Sequence, residues 1–517
     1  MQSADEIMEH TIKKKILLIN ELTKKVANLK KTGRVVVLSH GVYDIIHPGI
    51  VKHLNEAKKQ GDVLVVTVIK DKDVRRGYGR PIFHEALRAE NVASLQQVDY
   101  ICLVDDITPF ECVKRIKPDI FAKGQGYAER DRKIHKKIFK EEKGLYFGKS
   151  KIYETGGVSF SSSQIINNFL DIYPDEVKTF LKKFSKKYDF NYIVEKLNDL
   201  RNMKVLLIGD GIIDEYYYCE SMGKSPKAQL IVHKYITHEA FAGGAFAIAN
   251  HIAGLCDNVH LVSSLGRENS REDFVLTSLK KNVKAKFFFR NDAPTIIKKR
   301  YVNQYRNQKI FEINYVNDNH ISGEREKEVI SYLESVIDQY DLILVSDFGH
   351  GFVSNKMIKL VEAMSKKLAV NAQTNGANAG YNLITKYSKT QLICLDNPEA
   401  RLAAQKKYAD IEDVIKTLQK SINSNYFFVT LGNDGSICIN HKGKINRTPA
   451  FATKVVDIIG AGDAFFSYAA PCFALGMPMD LVSFIGNAVG ALAVQIVGNK
   501  KSVEKHEVLE FIHTLLK

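Results

Sequence analysis

The chain has 517 residues, enough for two to four domains that each bury a core, and seven scattered cysteines without Cys-x-x-Cys spacing, which argues against a disulfide framework or structural zinc. It contains no apolar run of about eighteen residues and no short apolar leader with a cleavage site, so no membrane partner is expected and the cytoplasm is the expected location. The net charge of +15 suits phosphorylated ligands, but the lysines are spread over helix faces without an aromatic stacking platform, so nucleic acid is not the expected partner.

Residues 1–30 alternate Ile and Leu with Lys at helical spacing and predict an amphipathic helix that packs on another domain or on a second copy. An α/β pattern follows over 31–172. Arg34-Val-Val-Val-Leu38 reads as a buried parallel strand that runs into Ser39-His40-Gly41-Val-Tyr43-Asp44-Ile-Ile-His47-Pro48-Gly49. Pro48 is pre-set for a first helical position, so His47 stands at a helix entrance. There it can meet the α-phosphate of a nucleoside triphosphate and stabilise charge built up during in-line displacement. Gly61 to Ile69 and Tyr100 to Val104 predict further strands. Ser161, Ser162 and Ser163 predict a helix entrance where hydroxyls and unpaired N–H groups converge, which a plain N-cap alone would explain.

This stretch resembles the cytidylyltransferase-like nucleotidyltransferases and their motif Gly-x-Phe-Asp-x-x-His-x-Gly-His, which Gly41, Asp44, His47 and Gly49 match. The resemblance implies a Rossmann-like domain that uses ATP or CTP, with His47 catalytic. It puts Gly41, Tyr43, Asp44, Gly49, Arg80, Arg88, Lys123 and the three serines around the nucleotide. Ile50 takes the place of the second histidine, and Gly126 that of an acid after Lys123. Loss of one preorganised donor commonly costs about 100- to 1000-fold in rate. The domain is then slow, recruits His40 or His53, or only binds.

Residues 173–202 carry Phe180, Leu181, Phe184, Tyr188, Ile193 and Leu197 at near-helical intervals and predict a helical connector. Over 203–517, Met203-Lys-Val-Leu-Leu-Ile-Gly-Asp210 reads as a buried strand, followed by Asp214 and by Gly243-Gly244. Lys298 and Arg300 offer charge-assisted bonds to a substrate phosphate; a solvated ribbon with its lysines outward is the alternative. Asp457-Ile-Ile-Gly460-Ala461-Gly462-Asp463 reads as a glycine-rich turn opening a helix, which aims N–H groups and the positive end of the dipole at an anion. Asp463 at that entrance can take a proton from an attacking hydroxyl, or it merely caps the helix.

Taken in order, these segments resemble the ribokinase-like carbohydrate kinases: an α/β domain with a small β-sheet lid, using ATP and Mg2+. The resemblance implies Asp463 as base and Gly460, Ala461 and Gly462 as anion hole. Asp210, Asp214, Gly243, Gly244, Lys298 and Arg300 fall on the sugar, and Thr430, Gly432, Gly435 and Asn487 on the nucleotide. Asp396 and Glu399 would organise magnesium through water, and a homodimer is expected, paired through the lid. Within the family, Lys224 to Ala228 and Pro294 to Arg300 resemble the kinase half of the bacterial bifunctional heptose 7-phosphate kinases and heptose 1-phosphate adenylyltransferases, whose two domains run in the opposite order. Departures are Ile458 and Ile459 for the usual Thr, Asp396 for Asn, Lys227 for an acid, His350 for Lys, and Asn371-Ala-Gln-Thr for Asp-Pro-Lys. Either the sugar is not that heptose or kinase activity is weakened.

The joint expectation is a bifunctional enzyme that phosphorylates a sugar or sugar phosphate and transfers a nucleotidyl group to a sugar 1-phosphate. A kinase with a degenerate, binding-only first domain and a non-enzymatic nucleotide-binding scaffold are the alternatives.

Overall fold

Runs of Val, Ile and Leu without alternation suit strands covered on both faces, and the first sheet has such runs at its centre among five strands. They are β1 (Val36–Gly41), β2 (Val63–Ile69), β3 (Tyr100–Val104), β4 (Ile120–Gly124) and β5 (Lys151–Thr155), arranged β3-β2-β1-β4-β5 with every pairing parallel. All seven residues of β2 are buried. The computed structural model describes residues 12–74, 80–105, 109–124, 150–156, 173–305, 308–321, 323–376, 378–452 and 455–517. Ser161, Ser162, Ser163 and Gly126 therefore lie outside the described residues.

The amphipathic N-terminal segment forms a helix over Ile19–Lys31. Leu22 and Val26, four apart and so on one face, are buried with Val36, Leu38 and Val65 of the adjacent sheet. The helix thus covers the sheet of its own unit, which needs an apolar cover.

The chain divides into two compact units, Met1–Pro174 with Leu509–Lys517 and Asp175–Val508. The helices Asp175–Lys187 and Phe190–Asp199 belong to the second unit, where Phe184 stacks on Phe484 at 4.0 Å and the Tyr188 hydroxyl donates to Asp480 at 2.8 Å.

The second unit holds a nine-stranded sheet and a four-stranded one. The strands in chain order are β6 (Lys204–Gly209), β7 (Gly211–Lys224), β8 (Ile231–Gly244), β9 (Asn258–Gly266), β10 (Val283–Arg290), β11 (Ile297–Asn303), β12 (Gln308–Tyr315), β13 (Leu342–Asp347), β14 (Leu368–Ala372), β15 (Lys389–Asp396), β16 (Asn423–Thr430), β17 (Ser436–Asn440) and β18 (Ile445–Thr448). The large sheet runs β10-β9-β6-β13-β14-β15-β16-β17-β18, parallel up to β16 and antiparallel beyond. The small sheet runs β12-β11-β7-β8. This is an α/β arrangement with a separate small sheet.

The chain passes from β6 through Asp210 directly into β7, so one extended segment feeds both sheets. Side chains alternate along a strand. On β11, Lys298, Arg300 and Val302 are accordingly buried while Lys299 and Tyr301 are less so, and the parallel register sets Lys298 beside Asp214 of β7.

Candidate functional site

The helix Ala461–Ala474 begins at Gly460, whose φ of 84° is left-handed and costs glycine little. A Cβ there would also lie 2.3 Å from Asn499 Oδ1. The N–H groups of Gly462 and Asp463 make no hydrogen bond with any described residue, as first-turn donors do not unless a cap or ligand supplies an acceptor. Both residues line a cavity of about 530 Å³ with Gly460 and Ala461. Thr430, Gly432, Gly435 and Asn487 also line it, as do Asp396 and Glu399, so one cavity gathers residues spread over more than ninety positions of sequence.

Asp463 is buried and accepts from Gln373 Nε2 at 2.5 Å. Burial pushes its pKa up; the Gln373 bond opposes this, the charge of Asp214 adds to it and Lys298 opposes it, leaving the carboxyl at about 7. A carboxylate poised there can accept a proton near neutral pH. Gln373 carries no motif of its own, so only the fold brings out this contact. Its own second bond, to Asn371 Oδ1 at 2.9 Å, fixes its amide.

Across from the helix entrance the small sheet supplies charge. Asp214 accepts from Arg300 Nη1 and, at 3.3 Å, from Asn499 Nδ2, and Arg300 Nε meets Glu312 at 2.7 Å. Lys298 is buried and makes no ion pair with any described residue. Its pKa is lowered by burial, with the charge of Asp214 opposing and that of Arg300 adding. The inward aim of Lys298 and Arg300 rules out a ribbon with both cations on its outer face. Gly243 is required here for space: a Cβ would lie 2.1 Å from Asp214 Oδ2. Gly244 has φ 53° and starts the helix Ala245–Ala253.

Asp210 does not join this group. Its two oxygens accept from the N–H groups of Phe348 at 3.0 Å, His350 at 3.2 Å and Phe352 at 3.1 Å, so it shapes the loop after β13. Burial and the charge of Asp347 push it up to about 6. Asn487 likewise donates to the carbonyls of Thr448 at 3.0 Å and Pro449 at 3.2 Å, and it lines the cavity while holding its wall.

Asp396 and Glu399 form a reciprocal capping box at 2.7 and 2.8 Å, and Glu399 also accepts from Thr374 N at 3.1 Å. Burial raises both carboxyls, and for Glu399 the charge of Asp396 adds to it, a strain that a nearby cation relieves. Among the described residues no group of three His, Cys, Asp or Glu could hold a metal directly. The pair is an acidic spot on the cavity wall whose charge a cation would offset.

In the first unit, His47 caps the helix Pro48–Lys58, and its Nδ1 accepts from Gly49 N at 3.2 Å. The proton of the neutral ring must then sit on Nε2, and burial, which lowers the pKa, keeps the ring neutral. Asp44 Oδ1 accepts from Ile82 N at 2.7 Å and Phe83 N at 3.1 Å, tying the turn to the segment after Arg80. The Tyr43 hydroxyl bonds Ser39 Oγ at 2.7 Å, and its ring lies 3.2 Å from where a Cβ on Gly41 would be. Lys123 is buried at the end of β4.

Arg88 is a correction to the sequence reading. Its side chain is fully buried and donates to the carbonyls of Phe83, Val42 and Ile69 and to Asp71, so it is a brace between loops with no face for a nucleotide. His53 cannot stand in for the missing histidine. Its Nε2 bonds Ser39 and its Nδ1 bonds Thr155, each at 2.7 Å, and burial lowers it to about 4. Ile50 packs against the apolar cluster of Leu54, Leu64 and Val66.

Residues 202–506 match the family model of the pfkB family carbohydrate kinases. The chain belongs to that family. Residues 38–168 match the cytidylyltransferase-like model, so this pfkB family member carries a second nucleotide-handling domain ahead of the kinase region. It is 24% identical over 314 residues to the bifunctional protein HldE of Wolinella succinogenes, covering 60% of this chain and 65% of that protein. It is 26% identical over 311 residues to HldE of Campylobacter jejuni strain RM1221, covering 60% and 64%. The chain thus spans just under two thirds of the length of these curated relatives. Phosphofructokinase-2 from Escherichia coli superposes with a TM-score of 0.49 at 13% identity over 61% of this chain and all of that one. No described helix is long and apolar enough to cross a membrane.

Proposed function

We propose that this protein is a bifunctional sugar-activating enzyme. Its pfkB unit transfers the γ-phosphoryl of ATP to a hydroxyl of a phosphorylated sugar of the heptose 7-phosphate kind. The observation that carries the reading is the Asp463 carboxyl, held at about 7 in the first turn of a glycine-entered helix and facing the Asp214, Lys298 and Arg300 group. Asp463 takes the proton of the attacking hydroxyl, the new P–O bond forms as the β–γ bond breaks, and ADP leaves. The Gly462 and Asp463 amides hold the charge that gathers on the transferred group. Asp214 orients the hydroxyl, and Lys298 and Arg300 meet the phosphate the sugar already carries. Asp396 and Glu399 would hold the magnesium of the nucleotide through water, where it would offset the negative charge of the phosphates.

The first unit carries the nucleotidyl transfer in the same proposal. A sugar 1-phosphate oxygen attacks the α-phosphorus of ATP or CTP and pyrophosphate leaves, giving a nucleotide sugar of the ADP-heptose kind. His47 donates from Nε2 to the α-phosphate, next to Lys123, Arg80 and the segment that contains Ser161, Ser162 and Ser163. In this reading the nucleotidyltransferase unit precedes the kinase unit in the chain.

One observation favours a second reading. Ile50, half-buried against the apolar cluster, replaces the second histidine and His53 is fully bonded, so a binding-only first unit is the alternative. Mass spectrometry and phosphorus NMR of the full chain with sugars, sugar phosphates, ATP, CTP and magnesium separate the cases. Two products support the bifunctional reading, a phosphorylated sugar alone supports the second, and no product refutes both. The small sheet exposes Tyr235, Phe311, Ile313 and Tyr315. A homodimer that covers this apolar face belongs to the proposal, and sedimentation of the full chain tests it.

A further inference from the structure

The two carboxylate oxygens of Asp463 stand in different surroundings. Oδ1 accepts from Gln373 Nε2 at 2.5 Å, whereas Oδ2 accepts from no described residue and opens to the cavity that both residues line. Gln373 follows the last residue of β14, and its backbone is held on both sides. Its N–H donates to the Asp347 carbonyl at 2.8 Å, and its carbonyl accepts from Asn382 Nδ2 at 3.0 Å. The second N–H of its amide goes to Asn371 Oδ1 at 2.9 Å, and Asn371 Nδ2 in turn donates to the Cys394 carbonyl of β15 at 2.9 Å. These bonds fix which way the Gln373 amide faces. Turned over, it would set its oxygen against two acceptors, Asn371 Oδ1 and the Asp463 carboxylate. A chain of two amides thus runs from β15 across β14 to the first turn of the helix Ala461–Ala474, and it ends on one oxygen of Asp463.

We infer that Gln373 is a positioning residue: it pins Oδ1 of Asp463 so that Oδ2 alone meets the hydroxyl that attacks the γ-phosphorus. The inference rests on the kinase reading of the same unit. The proton of that hydroxyl passes to Oδ2 as the new P–O bond forms, the β–γ bond breaks with its electron pair going to the departing ADP, and Oδ1 keeps its amide bond throughout. A carboxylate free to turn about χ2 presents its oxygens over a broad range of directions, few of which face the acceptor. The amide removes that freedom before the substrate arrives. Gln373 is neutral, so its contribution is aim and not proton transfer. The same bond also lowers the Asp463 pKa against the effect of burial, which gives its loss a second signature in the pH dependence.

The test uses the full chain with ATP, magnesium and the sugar phosphate that it phosphorylates best, with initial rates taken across pH. Gln373→Met fills similar space and cannot donate. Its kcat is expected to fall about 10- to 100-fold, with KM for sugar and for ATP unchanged and the acid limb moved to higher pH. The loss should persist on the plateau above the limb, where the base is ionised in both proteins, because aim and not protonation is at fault. Gln373→Lys, which restores a donor to Oδ1, should recover most of the plateau rate with the limb at lower pH. Asn371→Leu leaves Gln373 in place and removes the acceptor that fixes its amide, so it should show the same plateau loss in smaller measure. A further readout needs no turnover: the Asp463 carboxyl, followed by carbon-13 NMR and assigned by its loss in Asp463→Asn, should titrate at higher pH in Gln373→Met. A Gln373→Met protein with the wild-type thermal midpoint and the wild-type plateau rate overturns the inference, as does a wild-type plateau in Asn371→Leu or a Lys variant no faster than Met. Wild-type turnover with an unmoved Asp463 titration in the Met variant removes this inference and leaves the kinase reading. A wild-type chain that phosphorylates no sugar removes the kinase reading and the role of Gln373 with it, whatever the titration shows.

Discussion

Lys309 Nζ on β12 reaches Asp457 Oδ1 at 2.6 Å, joining the small sheet to the first residue of the glycine turn that ends in Asp463. Tyr216 of β7 donates to the other oxygen of Asp457 at 3.1 Å, and the N–H of Gly498 donates there at 3.0 Å. Burial raises Asp457, but the Lys309 bond and two backbone N–H bonds outweigh it and hold the carboxyl below its ordinary range. The small sheet and the anion-binding turn are therefore set against one another by a single acid.

Replacing Lys309 by Met should loosen this join without touching the reacting groups. Sugar kinase kcat/KM is expected to fall about 10-fold, with Lys309→Arg retaining most activity, because misplacement of a bound substrate alone costs rate on this scale. Steady-state assays varying sugar and ATP separately check it. An unchanged kcat/KM in the Met variant would show that the join has no part in positioning.

Asp463 gives the kinase reaction an acid limb. The base must be ionised, so kcat/KM for the sugar should rise through about pH 7 and level off above it. Gln373→Lys places a cation where a neutral amide now donates, which lowers the Asp463 pKa and moves the limb to lower pH. Asp463→Asn should abolish phosphoryl transfer while leaving pyrophosphate release intact. Because the folded-state pKa lies above the unfolded one, wild-type stability is lost as pH rises from about 4 through 7. Asn removes that loss, so its gain in thermal midpoint should be larger at pH 8 than at pH 5.

For the first unit, His47→Ala should remove pyrophosphate release and spare the kinase reaction. Ile50→His restores a second donor at the helix entrance and should raise pyrophosphate release by about 10-fold or more if the site is weakened but intact. A flat response, measured with ATP and with CTP, would favour the binding-only reading.

Arg88→Met removes the ion pair with Asp71 and the donor to the carbonyls of Phe83, Val42 and Ile69. Loss of one member of a buried charged network costs about 3 to 5 kcal/mol, so the first unit should unfold at lower denaturant, as followed by circular dichroism, with the kinase reaction unaffected. An intact transition would contradict the bracing role.

The local devices of this protein could be seen in the sequence. Buried strands of Val, Ile and Leu, Pro48 after a candidate cap, and the Gly460 to Asp463 turn each depend on neighbours a few residues away, so their residue types alone carried the signal. Period-two alternation also separates Lys298 and Arg300 from Lys299, though which face turns inward needed the sheet. What only the tertiary structure decided is how polar groups are spent. Asp210 and Arg88 have the residue types of a binding site, yet backbone groups from distant loops consume them. Conversely, Gln373, Lys309 and Asn499 carry no motif, and they meet their acids across separations of 90, 148 and 285 residues. A carboxylate or guanidinium has a fixed number of hydrogen-bonding positions, and only the folded chain determines which of them are already taken.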